Sequence, residues 1–441
     1  MSTFDTLLRR ASVVTEDGLR TLDVGISGEI FAEFGTDLTG SCETEIDATG
    51  KVLFPGLVDA HVHFNEPGRT AWEGFATGST ALAAGGGTCF IDMPLNSSPP
   101  VLDLASFAAK RRAGESNSRL DFALWGGLTP DSLAELADLA RAGVAGFKAF
   151  MCPSGLEEFA AANEATLRRG MHVAAEFGLP VAVHAESPAT LAAHQAKHPH
   201  PSPGSMADWL ASRPVAAELD AIEMALGCAR DTGCALHIVH ISSPEGIAMV
   251  TAAKREGIDV TAETCPHYLL LDTAAAIRIG PFAKCAPPLR DAATVDGLWQ
   301  CLAAGEIDSI GSDHSPSPPE LKEGNDFFSM WGGIAGCQHG FPLMIERGLR
   351  ESSWQQLAAL MAANPARRFG LGSRKGRLAA GFDADFCLLA PEESVIERKD
   401  LLSRHPISPY VGMKSGWRVA ATWLRGNPVS PATHGRFMSP E

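Results

Sequence analysis

The sequence lacks a block of basic residues, a long apolar run and an apolar segment near its start that would serve as a secretion signal. Its 441 residues include 36 lysines and arginines against 52 aspartates and glutamates, a net charge of −16 at pH 7. Nucleic acid is therefore not an expected partner, because its recognition needs clustered positive charge. No uninterrupted apolar run approaches the roughly 20 residues of a membrane span. We therefore expect a cytoplasmic protein with no membrane contact.

Closely spaced cysteine pairs are also missing. The ten cysteines are scattered without a CxxC motif, and Cys89, Cys234 and Cys387 lie inside apolar runs. A buried thiol in such a run acts as a small hydrophobic side chain. Disulfide bonds are therefore not expected.

Eight short apolar or β-branched runs alternate with alanine-rich stretches of helical periodicity. The runs lie at residues 53–64, 88–94, 120–128, 146–151, 180–186, 235–243, 259–268 and 307–315. Strand and helix alternating eight times is the pattern of a parallel (β/α)8 TIM barrel, whose active sites lie at the carboxyl ends of the strands. The sequence thus predicts an α/β fold with a barrel over residues 54–375.

The two ends of the chain have a different texture. Residues 1–53 and 376–441 contain short alternating runs separated by glycine and other turn residues. Such runs are typical of short strands, so we expect both ends to form one small β-sandwich domain beside the barrel. The segment from about Asn427 is rich in proline and serine and is expected to be a loose tail.

Polar side chains stand at or near the ends of five predicted strands, where they would share one rim of the barrel. Side chains alternate along a strand, so His61 and His63 share a face and can bind one metal ion together. His237 lies three residues before His240, faces the other way, and is expected to pack. The residues that we expect at a metal site are His61, His63, Lys148, His184, His240 and Asp313.

Three neighbours of this rim are weaker candidates. His267 and His314 lie close enough to contact a ligand rather than the metal, and Asp59 is expected to orient a ligand histidine, as carboxylates do in many metal sites. Each is equally compatible with an ordinary hydrogen-bonded structural residue.

Lys148 is the unusual member, because the segment GVAGFKAFM buries it among apolar neighbours. An unpaired ammonium is costly there, and desolvation lowers the pKa of a lysine. A neutral amine can add carbon dioxide to form a carbamate, an anionic ligand able to bridge two metal ions. The alternative is a lysine held in a salt bridge inside the barrel.

These residues resemble the site of the amidohydrolase superfamily, in particular its cyclic amidohydrolases: dihydroorotases, hydantoinases or dihydropyrimidinases, and allantoinases. Longer segments, among them DAHVHFNEPGRTAWEGF, GFKAFMCPSGLEEF, ETCPHYL and WGGIAGCQ, are similar to the allantoinase members. The segment KGRLAAGFDADF is similar to the one that returns such chains to their small β-domain. The resemblance therefore covers most of the chain.

The resemblance implies hydrolytic ring opening of allantoin to allantoate, a step of purine degradation. Two divalent metal ions, expected to be Zn²⁺, would be bridged by carboxylated Lys148 and by a hydroxide. Asp313 would take the proton of the hydroxide and return it to the leaving ring nitrogen. His61, His63 and Asp313 would hold one ion, and His184 and His240 the other. A homotetramer is the expected assembly.

The resemblance implies substrate contacts from Asn96, which matches a family asparagine, and from main-chain groups around Ala286 in the loop KCAPPLR. Both are equally compatible with ordinary turn residues, since asparagine followed by serine and proline is common in loops. Asn65 occupies the position where dihydroorotases carry an arginine that pairs with the substrate carboxylate. An uncharged side chain there favours a ring without a carboxylate, and we expect Asn65 at the substrate site.

Two alternatives remain open. A hydantoinase or dihydropyrimidinase, or less favourably a dihydroorotase, would use the same two-metal site on another ring. A non-catalytic scaffold, as some relatives become after losing ligands, is disfavoured because all six ligand positions are filled.

Overall fold

The structure is a computed structural model and describes residues 2–441. Its strands are β1 (Ser2–Thr15), β2 (Gly18–Ser27), β3 (Ile30–Gly35), β4 (Gly40–Asp47), β5 (Val52–Pro55), β6 (Leu57–Val62), β7 (Gly87–Asp92), β8 (Asp121–Leu124), β9 (Gly126–Gly127), β10 (Phe147–Phe150), β11 (Val181–His184), β12 (Leu236–Ile238), β13 (Val260–Thr264), β14 (Ser309–Ile310), β15 (Phe386–Val395), β16 (Lys414–Leu424) and β17 (Asn427–Pro428).

The α-helices are α1 (Phe75–Ala84), α2 (Leu104–Asn117), α3 (Leu136–Ala142), α4 (Glu164–Glu176), α5 (Pro188–Lys197), α6 (Met206–Ser212), α7 (Val215–Thr232), α8 (Pro244–Arg255), α9 (Pro266–Leu270), α10 (Thr273–Ile279), α11 (Ala292–Ala303), α12 (Gly340–Glu351), α13 (Trp354–Ala358) and α14 (Asn364–Arg368). Within residues 2–441, every helix is too short or too polar to span a lipid bilayer.

The middle of the chain forms a parallel (β/α)8 barrel. Strands β6 to β8 pair in chain order, as do β9 to β14, and a parallel bridge between Val62 and His314 joins the first strand to the end of the last. Only Trp125 separates β8 from β9, so these two short strands occupy one strand position. The barrel formed by the described residues therefore has eight strand positions. Each position overlaps one of the eight predicted runs, which confirms the predicted fold class.

Side-chain caps determine where several of the barrel helices begin. The side chain of Asn163 accepts a hydrogen bond from the backbone N–H of Thr166 at the start of α4, and Asp291 does the same for Thr294 at the start of α11. Each cap satisfies an N–H group that has no partner inside the helix. The longest helix, α7, ends at Gly233, whose φ of 68° suits a residue without a side chain.

An aromatic layer fixes the first three barrel strands against α1. The rings of Phe64 and Phe90 lie 4.7 Å apart, and those of Phe90 and Phe122 5.9 Å apart. All three side chains are fully buried, and each contributes roughly 1.5–3 kcal/mol by its removal from water. The layer lies next to His63 in the chain and so supports the rim on which His63 stands.

Both ends of the chain build a separate, mainly-β region. Its sheet has the order β17-β16-β15-β5-β1-β2-β3, with β4 paired to β1. Phe31 from the first end packs on Phe386 from the second with ring centroids 6.0 Å apart, and Phe386 stacks on Trp423 at 4.8 Å. The two ends therefore share one core. The boundaries predicted near residues 53 and 375 stay a prediction.

The prediction of a loose tail from about Asn427 is wrong. Residues Asn427 and Pro428 pair with β16, and further along Phe437 packs on Phe122 with ring centroids 5.7 Å apart. The N–H of Met438 donates to the carbonyl of Phe122 at 2.7 Å. The single phenylalanine and methionine among the prolines and serines are enough to dock this segment on the barrel.

A buried charge cluster joins the barrel to the terminal region. The ammonium of Lys375 lies 2.6 Å from Asp121 at the start of β8, and 2.8 and 2.7 Å from Asp383 and Asp385 just before β15. All four side chains are buried. Because three carboxylates surround one ammonium away from water, the loss of Lys375 would leave buried carboxylates without the partner that they share.

Candidate active site

The carboxyl end of the barrel brings His61, His63 and Asp313 together. The Nε2 atoms of His61 and His63 lie 3.2 and 3.4 Å from Oδ1 of Asp313. His61 is the second-last residue of β6 and His63 follows the strand, so one short segment supplies both imidazoles. Two imidazoles and a carboxylate at these separations form a suitable ligand set for one divalent metal ion.

His184 and His240 face each other beside this group. Nδ1 of His184, the last residue of β11, lies 3.0 Å from Nε2 of His240. The ring of Phe150 stacks on His184 with centroids 4.6 Å apart. Burial lowers the pKa of both histidines, so the imidazoles are neutral at pH 7, as metal binding requires. The rings of His61 and His240 lie 5.5 Å apart, which makes the two groups neighbours.

Lys148 lies in β10, and its charge interacts with members of both groups. Its side chain is 0% exposed, and its amine has no hydrogen-bond partner in the described part of the chain. Burial lowers its pKa to about 7, while the nearby charge of Asp313 opposes this. Its own charge lowers the pKa of His184 and of His240. A lysine without a partner argues against the internal salt bridge that was the alternative.

Two residues of the site have a left-handed backbone. The φ angle is 40° at His240, just after β12, and 44° at Asp313, just after β14. A residue other than glycine pays about 1–2 kcal/mol for this conformation. The left-handed backbone directs each side chain to the cavity, whereas an extended backbone would continue the alternation of side chains along the strand.

Sequence reasoning missed two buried glutamates that hold the histidine rings. Glu263 accepts a hydrogen bond from Nδ1 of His61 at 2.7 Å, and Glu186 accepts one from Nε2 of His184 at 2.8 Å. A carboxylate bonded to one ring nitrogen fixes the tautomer and leaves the other nitrogen for a metal. The available signal was a carboxylate in or just after a buried strand, since Glu263 lies in β13 and Glu186 follows β11.

Arg213 completes the contacts of Glu186. Its Nε and Nη2 atoms donate to the two carboxylate oxygens of Glu186 at 2.9 and 2.5 Å. Burial opposes ionisation of Glu186, but Arg213 and His184 outweigh it and lower the pKa of Glu186 to about 2. A continuous chain of charge-assisted hydrogen bonds therefore runs from Arg213 through Glu186 to His184.

Asp59 does not contact a histidine ring. Its Oδ1 accepts the backbone N–H groups of His61 at 3.1 Å and Ser312 at 3.0 Å. The prediction that it orients a ligand ring is wrong, because Glu263 already occupies the available nitrogen of His61. Asp59 instead ties β6 to the segment that carries Asp313.

The other rim histidines lie just outside the metal-binding group. His237 contacts Thr261 at 2.7 Å and Glu263 at 3.3 Å in the packing role that its spacing predicts. Nε2 of His314 lies 3.4 Å from Glu73. His267 is buried, and neither of its ring nitrogens has a hydrogen-bond partner within residues 2–441.

A cavity of about 320 Å³ opens beside the four histidines and Asp313. Asn96 and Ala286 lie on its wall, together with the histidines and Asp313. Asn65 is 0% exposed, and its amide donates to the carbonyl of Pro316 at 3.3 Å. Asn65 is not among the described residues that line the cavity. Its φ of 59° turns its side chain toward Pro316 instead.

These residues fit a two-metal centre. Four imidazoles and one ionised aspartate meet at a single cavity. The buried amine of Lys148, which has no hydrogen-bond partner within the described residues, is close enough for its charge to lower the pKa of two of these imidazoles, those of His184 and His240. The partnerless amine is the most specific feature, because a buried polar group normally has a hydrogen bond.

Comparison with known proteins agrees with this geometry. A family described as "Amidohydrolase family" matches residues 52–429. The chain is 51% identical to a protein of Deinococcus radiodurans named allantoinase, over 96% of this chain and 95% of that protein. It is 48% identical to an allantoinase of Rubrobacter xylanophilus, over 100% of this chain and 99% of that protein.

Solved structures are similar over nearly the whole chain. The L-hydantoinase (dihydropyrimidinase) from Arthrobacter aurescens superposes with a TM-score of 0.92 at 33% identity, over 99% of this chain and 97% of that one. The dihydropyrimidinase from Brevibacillus agri NCHU1002 gives a TM-score of 0.89 at 27% identity, over 99% of this chain and 98% of that one.

Proposed function

The chain belongs to the amidohydrolase family, and from that premise we propose that it hydrolyses the ring of allantoin to give allantoate. The observation that carries the proposal is identity of up to 51% to allantoinases over nearly the full length of both chains. The residues at the carboxyl end of the barrel have the chemistry that cyclic amide hydrolysis needs. The reaction is a step of purine degradation.

Two divalent metal ions, which we propose to be Zn²⁺, would complete the site. When bound, they would polarise the ring carbonyl and make hydroxide available near neutral pH. We propose that Lys148 is carboxylated and bridges them, a role supported by its burial, its lack of a partner and its lowered pKa. His61, His63 and Asp313 would hold one ion, and His184 and His240 the other.

Asp313 is proposed to move the proton. Its interaction with His61 and His63 outweighs the effect of burial and holds the pKa of its carboxyl well below the usual range. It is therefore ionised at neutral pH and able to accept a proton from the attacking water. Because it lies on the cavity wall, the same carboxyl can return the proton to the ring nitrogen that leaves.

The wall of the cavity would orient the substrate. We propose that Asn96 and the main chain at Ala286 hydrogen-bond the ureide groups, since both line the cavity. The volume of about 320 Å³ suits a small ring with one substituent. Asn65 acts at most indirectly, through the carbonyl of Pro316.

A hydantoinase is the second candidate, because solved structures that match over nearly the whole chain include a hydantoinase and a dihydropyrimidinase. Dihydroorotate is a poorer substrate candidate. Arg213 is on the described cavity wall, but Glu186 already binds two atoms of its guanidinium. The charge of Arg213 is therefore already balanced by Glu186, which weakens its attraction for a substrate carboxylate.

The test is a side-by-side assay of metal-replete protein on allantoin, hydantoin, dihydrouracil and dihydroorotate. We expect the highest kcat/KM on allantoin. Faster turnover of hydantoin or dihydrouracil would move the assignment to the second candidate, and faster turnover of dihydroorotate would reject both. The homotetramer and the cytoplasmic location stay predictions of the sequence.

A further inference from the structure

One wall of the cavity is a segment of irregular backbone. Residues 328–333 line the cavity, and residues 323–333 form neither helix nor strand. We refer to residues 326–333 as the wall segment. A segment without regular structure keeps a single shape only if other groups satisfy its buried backbone carbonyls.

Two buried lysines satisfy these carbonyls. Nζ of Lys284 donates to the carbonyls of Phe327 and Met330, each at 2.5 Å. Nζ of Lys322 donates to the carbonyls of Gly333 at 2.8 Å and Trp331 at 3.2 Å. Nζ of Lys284 also donates to the carbonyl of Phe328 at 3.4 Å. Two ammonium groups from outside the wall segment therefore bind five of its carbonyls along its length.

Additional bonds tie the backbone near both ends of the wall segment to its surroundings. The N–H of Gly333 donates to the carbonyl of Lys284 at 2.7 Å, and the N–H of Phe327 donates to the carbonyl of Gly204 at 3.0 Å. Asp326 accepts the N–H groups of Gly204 and Phe328, both at 3.1 Å. Between these points the carbonyls depend on the two lysines.

The two ammonium groups form no salt bridge within residues 2–441; their bonds go to carbonyl oxygens. Lys284 is 2% exposed and Lys322 is 5% exposed, and Nζ of Lys284 lies 4.1 Å from the centre of the Trp209 ring. Burial lowers the pKa of each lysine to about 8. Neutral donors can satisfy backbone carbonyls, whereas a buried ammonium without a carboxylate partner is costly, so a role for the positive charges themselves is indicated.

We propose that Lys284 and Lys322 are positioning residues that hold the wall segment in the shape that accepts the substituent of the substrate ring. The inference rests on the proposed function, in which that substituent is the ureido group of allantoin. The metal-binding residues at the strand ends act on the ring amide. The wall segment carries none of the proposed metal ligands. It instead encloses the substituent, which is attached to another atom of the ring.

The experiment compares allantoin with unsubstituted hydantoin in the wild type, Lys284→Met and Lys322→Met, all loaded with metal. We expect kcat/KM for allantoin to fall at least about tenfold, mainly through KM, because displacement of a positioning group by about 1 Å can cost up to ~10²-fold. Hydantoin, which lacks the substituent, should change far less. Equal effects on both rings, or no effect on either, would overturn the proposal.

Three controls separate positioning from general damage. Metal content is measured in every variant, and wall-segment exposure is followed by limited proteolysis, which should accelerate in both methionine variants. Lys254→Met removes a partly exposed ammonium that contacts Asp308 at 2.5 Å, remote from the cavity, and should leave the substrate ratio unchanged. If the methionine variants do not fold, Lys284→Gln and Lys322→Gln keep an NH₂ donor without the charge and are assayed in the same way.

The result also distinguishes failure of this inference from failure of the proposed function. If the wild type opens another ring but not allantoin, the proposed function falls. The comparison is then made between that ring with and without its substituent, and an unchanged ratio in the lysine variants still rejects the positioning role.

Discussion

Replacing Glu186 by glutamine should cost the protein one of its two proposed metal ions. The carboxylate lies 2.8 Å from Nε2 of His184 and binds Arg213 at 2.9 and 2.5 Å. Glutamine keeps the shape of the side chain but offers one oxygen where the carboxylate offers two. Its NH₂ group would face a hydrogen-bond donor, either His184 or Arg213. The ring of His184 then loses the contact that orients its other nitrogen.

The size of the effect follows from these contacts. Loss of a carboxylate that orients a metal-binding histidine costs 10–100-fold in metal affinity, about 1.4–2.8 kcal/mol. The fold should lose about 3 kcal/mol of stability, because the guanidinium of Arg213 loses its buried partner. Arg213 is 17% exposed and stacks on Trp209, so water and the ring offset part of that loss.

The assay is metal content per chain after equilibration with increasing chelator. At a concentration where the wild type keeps two ions, Glu186→Gln should keep about one, because His61 retains its bond to Glu263. The exposed Glu157→Gln serves as the matched control. If Glu186→Gln holds both ions as tightly as the wild type, the orienting role assigned to Glu186 is refuted.

Three more outcomes follow. Lys148→Ala should lose metal and activity and regain part of both with a short carboxylic acid; full activity without the added acid would contradict the bridging role. Lys375→Met should lower the free energy of unfolding by about 3–5 kcal/mol in a urea titration, with kcat per folded molecule unchanged; a large drop in kcat would show that the cluster acts on the site. The pKa of Glu186 is lowered from 4.5 to about 2 in the fold. As pH falls, Glu186 in the unfolded chain therefore takes up a proton before Glu186 in the folded chain does. The stabilisation of the fold by ionised Glu186 is complete above about pH 4.5 and is lost as pH falls toward 2. Acid unfolding of Glu186→Gln should lack this component, and identical pH profiles would disprove it.

The barrel, and the meeting of the four histidines and Asp313 at one rim, were predictable because they depend on local patterns. Each apolar run at residues 53–64 through 307–315 contains or overlaps a barrel strand. His61, His184 and Asp313 stand at the ends of such runs, and parallel strands place their ends at one rim. Their convergence therefore follows from the strand count alone.

The contacts that orient the site were not predictable from local pattern. Glu263 is 202 residues from the ring that it holds, and the identity of that ring depends on how the strands are arranged around the barrel. Lys284 and Lys322 look like ordinary surface lysines in KCAPPLR and PELKEG; only the course of the loop after β14 buries them. Asn65 was expected at the substrate site from the position that dihydroorotases fill with arginine, and the sequence does not reveal the left-handed backbone that turns its side chain toward Pro316.

The position of β5 in the terminal sheet has a consequence for synthesis of the chain. One edge of β5 pairs with β1 and the other with β15. The ribosome completes β15 only after the whole barrel has been made, so β5 emerges long before its second neighbour exists. An unpaired strand edge is a site of aggregation, so a message truncated after the barrel should yield an insoluble product even though every proposed metal ligand has been translated.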